Sequence, residues 1–138
     1  MAAYAGLSGI IGGIRSVNET GMAFQGLDTA LAAVTSKIRF LVAVRPGFIN
    51  TGLFAQMAAT LDQLSGGRLD INVVPGGIQG DFERLGEVSD HAHRYERADE
   101  FIAACRMLWD APEPVSFQGQ HIQLNGALCS PGPFAAGP

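Results

Sequence analysis

Charge is sparse in this sequence, cysteines are few, and no long apolar run is present. Charged residues make up 16% of the chain, and the nine basic ones are scattered along it. A surface for nucleic acid needs a clustered basic patch, so the scatter and the net charge of -4 argue against that partner. The two cysteines, Cys105 and Cys129, stand apart without metal-type spacing. They do not make a disulfide framework, and they fit a reducing, cytoplasmic compartment. No Lys or Arg precedes Arg15, so MAAYAGLSGIIGGIR lacks the basic start of a signal peptide. The same stretch is too short and too rich in glycine to span a membrane. His91 and His93 come without an HExxH pattern or a third ligand, so no metal site is expected. Gly76, Gly77 and Gly80 do not have GxGxxG spacing, which removes the usual dinucleotide fingerprint.

What remains is a chain that is 47% hydrophobic, enough to form a packed core. Its periodicity alternates between helix and strand. Phe24, Leu27, Leu31 and Val34 share one face of a predicted helix over 23–34. Ile38 to Val44 is apolar almost throughout and reads as a buried parallel strand, stopped by Arg45-Pro46-Gly47. A second helix is predicted from Thr51 to Leu64, with Leu53, Phe54, Met57, Leu61 and Leu64 as its buried stripe. Asn50 or Thr51 caps its start, and Ser65-Gly66-Gly67 ends it with a left-handed residue. Leu69 to Val74 is the next strand. Strand, helix and strand in close succession form a βαβ unit. A third long helix is expected from Arg94 to Trp109, begun by Asp90 or His91, with Tyr95, Ala98, Ile102, Cys105 and Trp109 on one face. Val115 to Phe117 and His121 to Leu124 read as a small β-hairpin.

The organising stretch is Arg68 to Tyr95. Asn72 is the one amide in an apolar strand. Gly76, Gly77 and Gly80 follow at the strand's C-terminal end, where α/β sheets place their ligands. Asp90, His91, His93, Arg94 and Tyr95 then crowd into six positions. Taken alone, these residues leave alternatives open. Asn72 could satisfy a neighbouring backbone group, the glycines could form a plain turn, and His91 could be a solvated helix start. Tyr95 could be core with its hydroxyl at the rim.

The ordered blocks FLVAVRPGFINTGLFAQMAATLDQLSGGRLDINVVPGG, DHAHRYERADEFIAACRMLW and VSFQGQHIQLNGA resemble the bacterial luciferase-like flavin monooxygenases. The alkanesulfonate monooxygenase branch is the most similar. The resemblance runs from about Ala30 to Ala127. It implies a TIM (β/α)8 barrel that uses oxygen and reduced FMN, the FMN supplied by a partner flavin reductase, to oxygenate an alkanesulfonate- or sulfone-type substrate. The protein's part is to position the flavin and shield it from water. By position, the resemblance places Asn72 on the flavin, Asp81 where relatives carry a Glu near it, Arg94 and Tyr95 at the family's cofactor-contacting Arg-Tyr pair, and His91 at the histidine that precedes that pair. It identifies no catalytic residue.

A complete barrel of this kind needs about 250 residues. The expected architecture is therefore a partial barrel: about two βα units plus the hairpin over 23–127. It is preceded by a lead-in over 1–22 with no clear strand and followed by a Pro/Gly-rich stretch over 128–138. The family's first strand and its later segment with a catalytic Arg and His have no counterpart. The expectation is that one copy of this chain does not hold the whole catalytic constellation, and that its open barrel edges favour association between copies. Two alternatives stand beside this reading: a deazaflavin-dependent oxidoreductase of the same fold, and a truncated, non-catalytic remnant.

Overall fold

The computed structural model describes residues 9–13, 24–77 and 79–134, apart from the side chains of 9–13, 24–27, 79 and 81. The chain order is β1 (Gly9–Gly13), α1 (Phe24–Val34), β2 (Arg39–Val44), α2 (Thr51–Ser65), β3 (Leu69–Val73), α3 (Gln79–Arg84), α4 (His91–Asp110), β4 (Val115–Gln118) and β5 (Gln123–Ala127). β1, β2 and β3 form a parallel sheet in that order, with Gly12 opposite Val42 and Val42 opposite Ile71. β4 and β5 pair antiparallel as a separate hairpin. The parallel strands and their following helices make an arc of a (β/α) barrel that does not close among the described residues.

The sequence reading found no strand before Arg15, yet β1 is there. Gly9, Gly12 and Gly13 supply no side-chain alternation to read. Pairing with β2 holds the strand through its backbone, and that bonding leaves no trace in the sequence.

One face of the arc is dry. Phe40, Val42 and Val44 of β2 are buried against α2 and α4, where Phe54 and Phe101 meet with ring centroids 5.1 Å apart. The Trp109 indole N–H donates to the Ala55 carbonyl at 3.0 Å, tying α4 to α2. Ala55, Ala58 and Ala59 are buried, while Leu53 and Leu64, expected in the core, are exposed. Small side chains let α2 approach the sheet closely and rotate its larger leucines outward. On α4 the seam runs through Ala98, Phe101, Cys105 and Leu108, and Tyr95 is left 45% exposed. The spacing of three, four and three centres the seam on Phe101 rather than on Tyr95.

The other face is open. Leu41 and Ala43 are only part-buried and Asn72 is exposed. Among the described residues nothing covers this face or pairs with the second edge of β3.

Caps are as the local sequence dictates. The Asn50 side chain accepts the Leu53 N–H at 3.0 Å, and Gly66 ends α2 with φ 68°. The hairpin is anchored by Glu100 of α4, whose carboxylate accepts the N–H groups of Gln120, His121 and Ile122 at 2.8–2.9 Å. Desolvation pulls the Glu100 carboxyl upward, but these three donors outweigh it and hold it below the usual range.

Asp28 on α1 is fully buried, and neither side-chain oxygen has a partner among the described residues. Burial pushes its carboxyl from 3.8 up to about 6. Between those values the folded chain holds a proton that the unfolded chain has released. This stabilisation is complete below the lower value and is lost as pH rises to the upper one. Asp28→Asn is expected to flatten that slope and to raise the urea midpoint at about pH 7 more than at about pH 4. An unchanged slope would assign it to another group.

Candidate functional site

The C-terminal ends of β2 and β3 carry the site. Asn72 lies opposite Ala43 in the register, on the face that the helices leave open, and its amide is exposed. An amide there can both donate and accept. Beyond it the chain passes through Val74, whose N–H reaches the Val44 carbonyl at 2.8 Å, into the loop Pro75-Gly76-Gly77.

That loop is pinned from the start of α4. Arg94 is only 5% exposed. Its Nε donates to the Pro75 carbonyl at 3.3 Å and its Nη1 to the Ser89 carbonyl. Its guanidinium lies 4.6 Å from the centroid of the Phe82 ring. Tyr95 stands beside it, and its hydroxyl is 3.2 Å from where a Cβ on Gly76 would sit. His91, the exposed first residue of α4, stacks on Tyr95 at 4.4 Å. Asp90 caps α4 by accepting the His93 N–H at 2.9 Å. The structure thus brings His91, Arg94 and Tyr95 together against the loop that follows Asn72. Asp81 belongs to α3, and its side chain lies outside the described residues.

Sequence reasoning gave no site role to Phe82, Glu87, Arg97 or Gly47, and it singled out Gly77 without the contact that requires it. Phe82 is a lone aromatic in a polar run, now almost fully buried, with the Arg94 and Arg45 guanidinium groups 4.6 and 5.0 Å from its ring centroid and Phe48 stacked on it at 5.8 Å. Gly77 has φ 154°, and a Cβ there would come within 2.9 Å of the Phe82 ring, so the loop's close approach needs glycine. Glu87 and Arg97 form an ion pair beneath the β2–α2 loop. Glu87 also accepts the Ser89 N–H at 2.8 Å. Burial would raise the Glu87 carboxyl, but Ser89 and Arg97 together hold it below its ordinary value. Gly47, with φ 102°, lies so close to this pair that a Cβ would fall 2.5 Å from Arg97 Cζ. The available sequence signals were the isolated aromatic at Phe82 and the Glu–Arg spacing of ten. Neither is distinctive without the fold.

The chemistry of this surface is binding chemistry. It offers an exposed amide, a glycine loop, a phenol and a set of guanidinium groups at the ends of parallel strands. Among the described residues no group of three or more His, Cys, Asp and Glu could hold a metal ion. None of the described helices is long and apolar enough to cross a membrane.

A model of the luciferase-like monooxygenase family matches residues 27–137. Among solved structures, monooxygenase RslO1 from Streptomyces bottropensis is 28% identical with a TM-score of 0.73, over 83% of this chain and 34% of its own. The oxygenating constituent of 3,6-diketocamphane monooxygenase from the CAM plasmid of Pseudomonas putida, in complex with FMN, is 16% identical with a TM-score of 0.78 over 92% and 38% of the two chains. An F420-dependent secondary alcohol dehydrogenase in complex with an F420–acetone adduct is 23% identical with a TM-score of 0.80 over 93% and 41%. The last two likenesses are likenesses of fold. The chain spans little more than a third of the length of these proteins.

Proposed function

Because the chain belongs to the luciferase-like monooxygenase family, we propose that its open strand-end face holds reduced FMN, delivered by a flavin reductase, for oxygen-dependent oxygenation of an alkanesulfonate- or sulfone-type substrate. The observation that carries this reading is the convergence of Asn72, the Pro75–Gly77 loop, Arg94 and Tyr95 at one end of a parallel sheet. The residues fit a flavin. Asn72 presents a free-standing amide to the ring's polar edge, the glycine loop gives a close backbone approach, and Tyr95 and His91 offer an aromatic surface at the rim. When bound, the flavin supplies the redox chemistry with oxygen. In this reading the chain's own residues bind and orient it: Arg94 holds the loop, Asn72 addresses the ring, and Asp81 belongs to the helix that follows the same loop. The barrel arc covers one side of that position and leaves the other open, so exclusion of water from the reacting atoms falls to further covering structure. The isolated chain is therefore expected to bind flavin better than it turns over. Association between copies through the open edge of β3 is one source of cover.

The deazaflavin reading is kept because one structure of the same fold is an F420-dependent dehydrogenase. Thermal melts of the purified chain with FMN and with F420 separate the two. Stabilisation by FMN, with oxygen consumption on adding reduced FMN and an alkanesulfonate, supports the monooxygenase reading. Stabilisation by F420 alone, with hydride transfer and no oxygen uptake, replaces it. A melt that neither cofactor moves supports the non-catalytic remnant.

A further inference from the structure

Arg45 follows β2 and entered the sequence reading only as part of a strand stop. In the fold it has neither a hydrogen-bond acceptor nor an ion-pair partner among the described residues, and its Nη1 is enclosed. An enclosed donor left unmade is costly, so a side chain kept in this state marks a place where an acceptor belongs. Its position is fixed. The Arg45 guanidinium lies 5.0 Å from the centroid of the Phe82 ring, which Arg94 also contacts. Gly77 closes over it, with Nη2 3.5 Å from where a Cβ on Gly77 would be. The nearby buried carboxylate, Glu87, is already committed to Arg97 and Ser89.

The strand register says which way the arginine is presented. Phe40, Val42 and Val44 enter the core, so Ala43 and Arg45 belong to the opposite face of β2. Ala43 is opposite Asn72. Arg45, just past the end of β2, and Asn72 therefore share the open face, two residue steps apart along neighbouring strands. A planar fork of N–H donors beside an amide suits a tetrahedral oxyanion.

We propose that Arg45 is an oxyanion-binding residue of this site, taking either the phosphate of a flavin mononucleotide or the sulfonate of a substrate on the open face beside Asn72. The choice of these two ligands rests on the function proposed above; the requirement for an oxyanion rests on the unpaired guanidinium. The test is titration calorimetry of the purified chain and of Arg45→Met and Arg45→Lys with FMN, riboflavin, octanesulfonate and inorganic phosphate. Loss of a charge-assisted fork is expected to weaken the bound oxyanion roughly 10- to 100-fold in Arg45→Met, with Arg45→Lys between. Weaker FMN with unchanged riboflavin assigns the phosphate. Weaker octanesulfonate with both flavins unchanged assigns the sulfonate. If the wild-type chain binds neither flavin nor octanesulfonate, the function reading fails, and inorganic phosphate alone decides: weaker binding in the variants upholds Arg45. The proposal is overturned if the variants bind every oxyanion as the wild type does, if FMN and riboflavin weaken equally, or if the wild type binds no oxyanion. Should Arg45→Met not fold, Arg45→Lys carries the same comparison.

Discussion

Arg68→Ala is expected to lower folding stability by about 3–5 kcal/mol, the largest effect of any single substitution outside the core. The reason is the set of acceptors that one guanidinium gathers. Its Nη2 donates to the Ala32 carbonyl at 3.1 Å, in the last turn of α1. Its Nε donates to the Ser65 carbonyl at the end of α2. Its Nη1 reaches the Ile38 carbonyl at 2.9 Å, just before β2, and Thr35 Oγ1 at 3.1 Å. The Phe40 ring lies 5.3 Å from its centre. The last carbonyls of a helix have no partner within it, and two helices end here on one cation. Alanine would strand these acceptors at a part-buried junction that water enters only by parting the elements. Arg68→Lys should restore a small part, since its donors share one nitrogen and cannot span acceptors that the guanidinium reaches from three. Urea denaturation of the two variants checks this. A loss below about 1 kcal/mol for alanine would mean that the carbonyls hydrate freely.

The second large effect is expected at Arg94. Arg94→Ala should cost about 2–4 kcal/mol and weaken FMN and riboflavin alike, by roughly tenfold or more. Arg94 spans from the Pro75 carbonyl to the Ser89 carbonyl and backs Phe82. Without it the loop after β3 loses its tether, and Phe82 loses one of the two cations that fix it. The expected loss is of a preformed surface, so it does not depend on the phosphate. Flavin titration beside a denaturation curve makes the check. A selective loss of FMN, with riboflavin and stability unchanged, would give Arg94 a direct phosphate contact instead of this positioning role.

Much of this fold is written locally. The apolar run before Arg45, the Asn50 cap, the Gly66 terminator and the apolar run around Asn72 each depend on residues a few positions apart, and each element forms where those patterns place it. Asn72, Arg94 and Tyr95 drew attention as polar residues at strand and helix ends, and the structure brings Arg94 and Tyr95 against the loop that follows Asn72. What local pattern does not contain is partnership across the chain. Arg68 meets acceptors up to 36 residues away, and nothing beside it in the sequence announces them. Arg45 looks like a strand stop because its meaning lies in what is missing around it. β1 is invisible for the complementary reason: its glycines carry no pattern, and its partner strand begins some 30 positions later. The exposure of Leu53, Leu64 and Tyr95 shows a further limit. Helical spacing names a stripe, but the alanines beside it decide how far the helix turns.

The segment after β5 has a consequence for how the chain is made. It runs back across α2. Gln56 donates to the Leu128 carbonyl at 3.2 Å, Gln63 to the Gly132 carbonyl at 2.8 Å, and Asp62 accepts the Phe134 N–H at 2.8 Å. The ring of Phe134 then closes over Gly67. Asp62 and Phe134 are 72 residues apart, so a growing chain emerging from the ribosome carries α2 for several seconds before its last partner arrives. During that interval the side chain of Asp62 stays in water. The latch closes only when 128–134 have been translated, and a nascent chain halted short of them is left with the wet side of α2 unsealed.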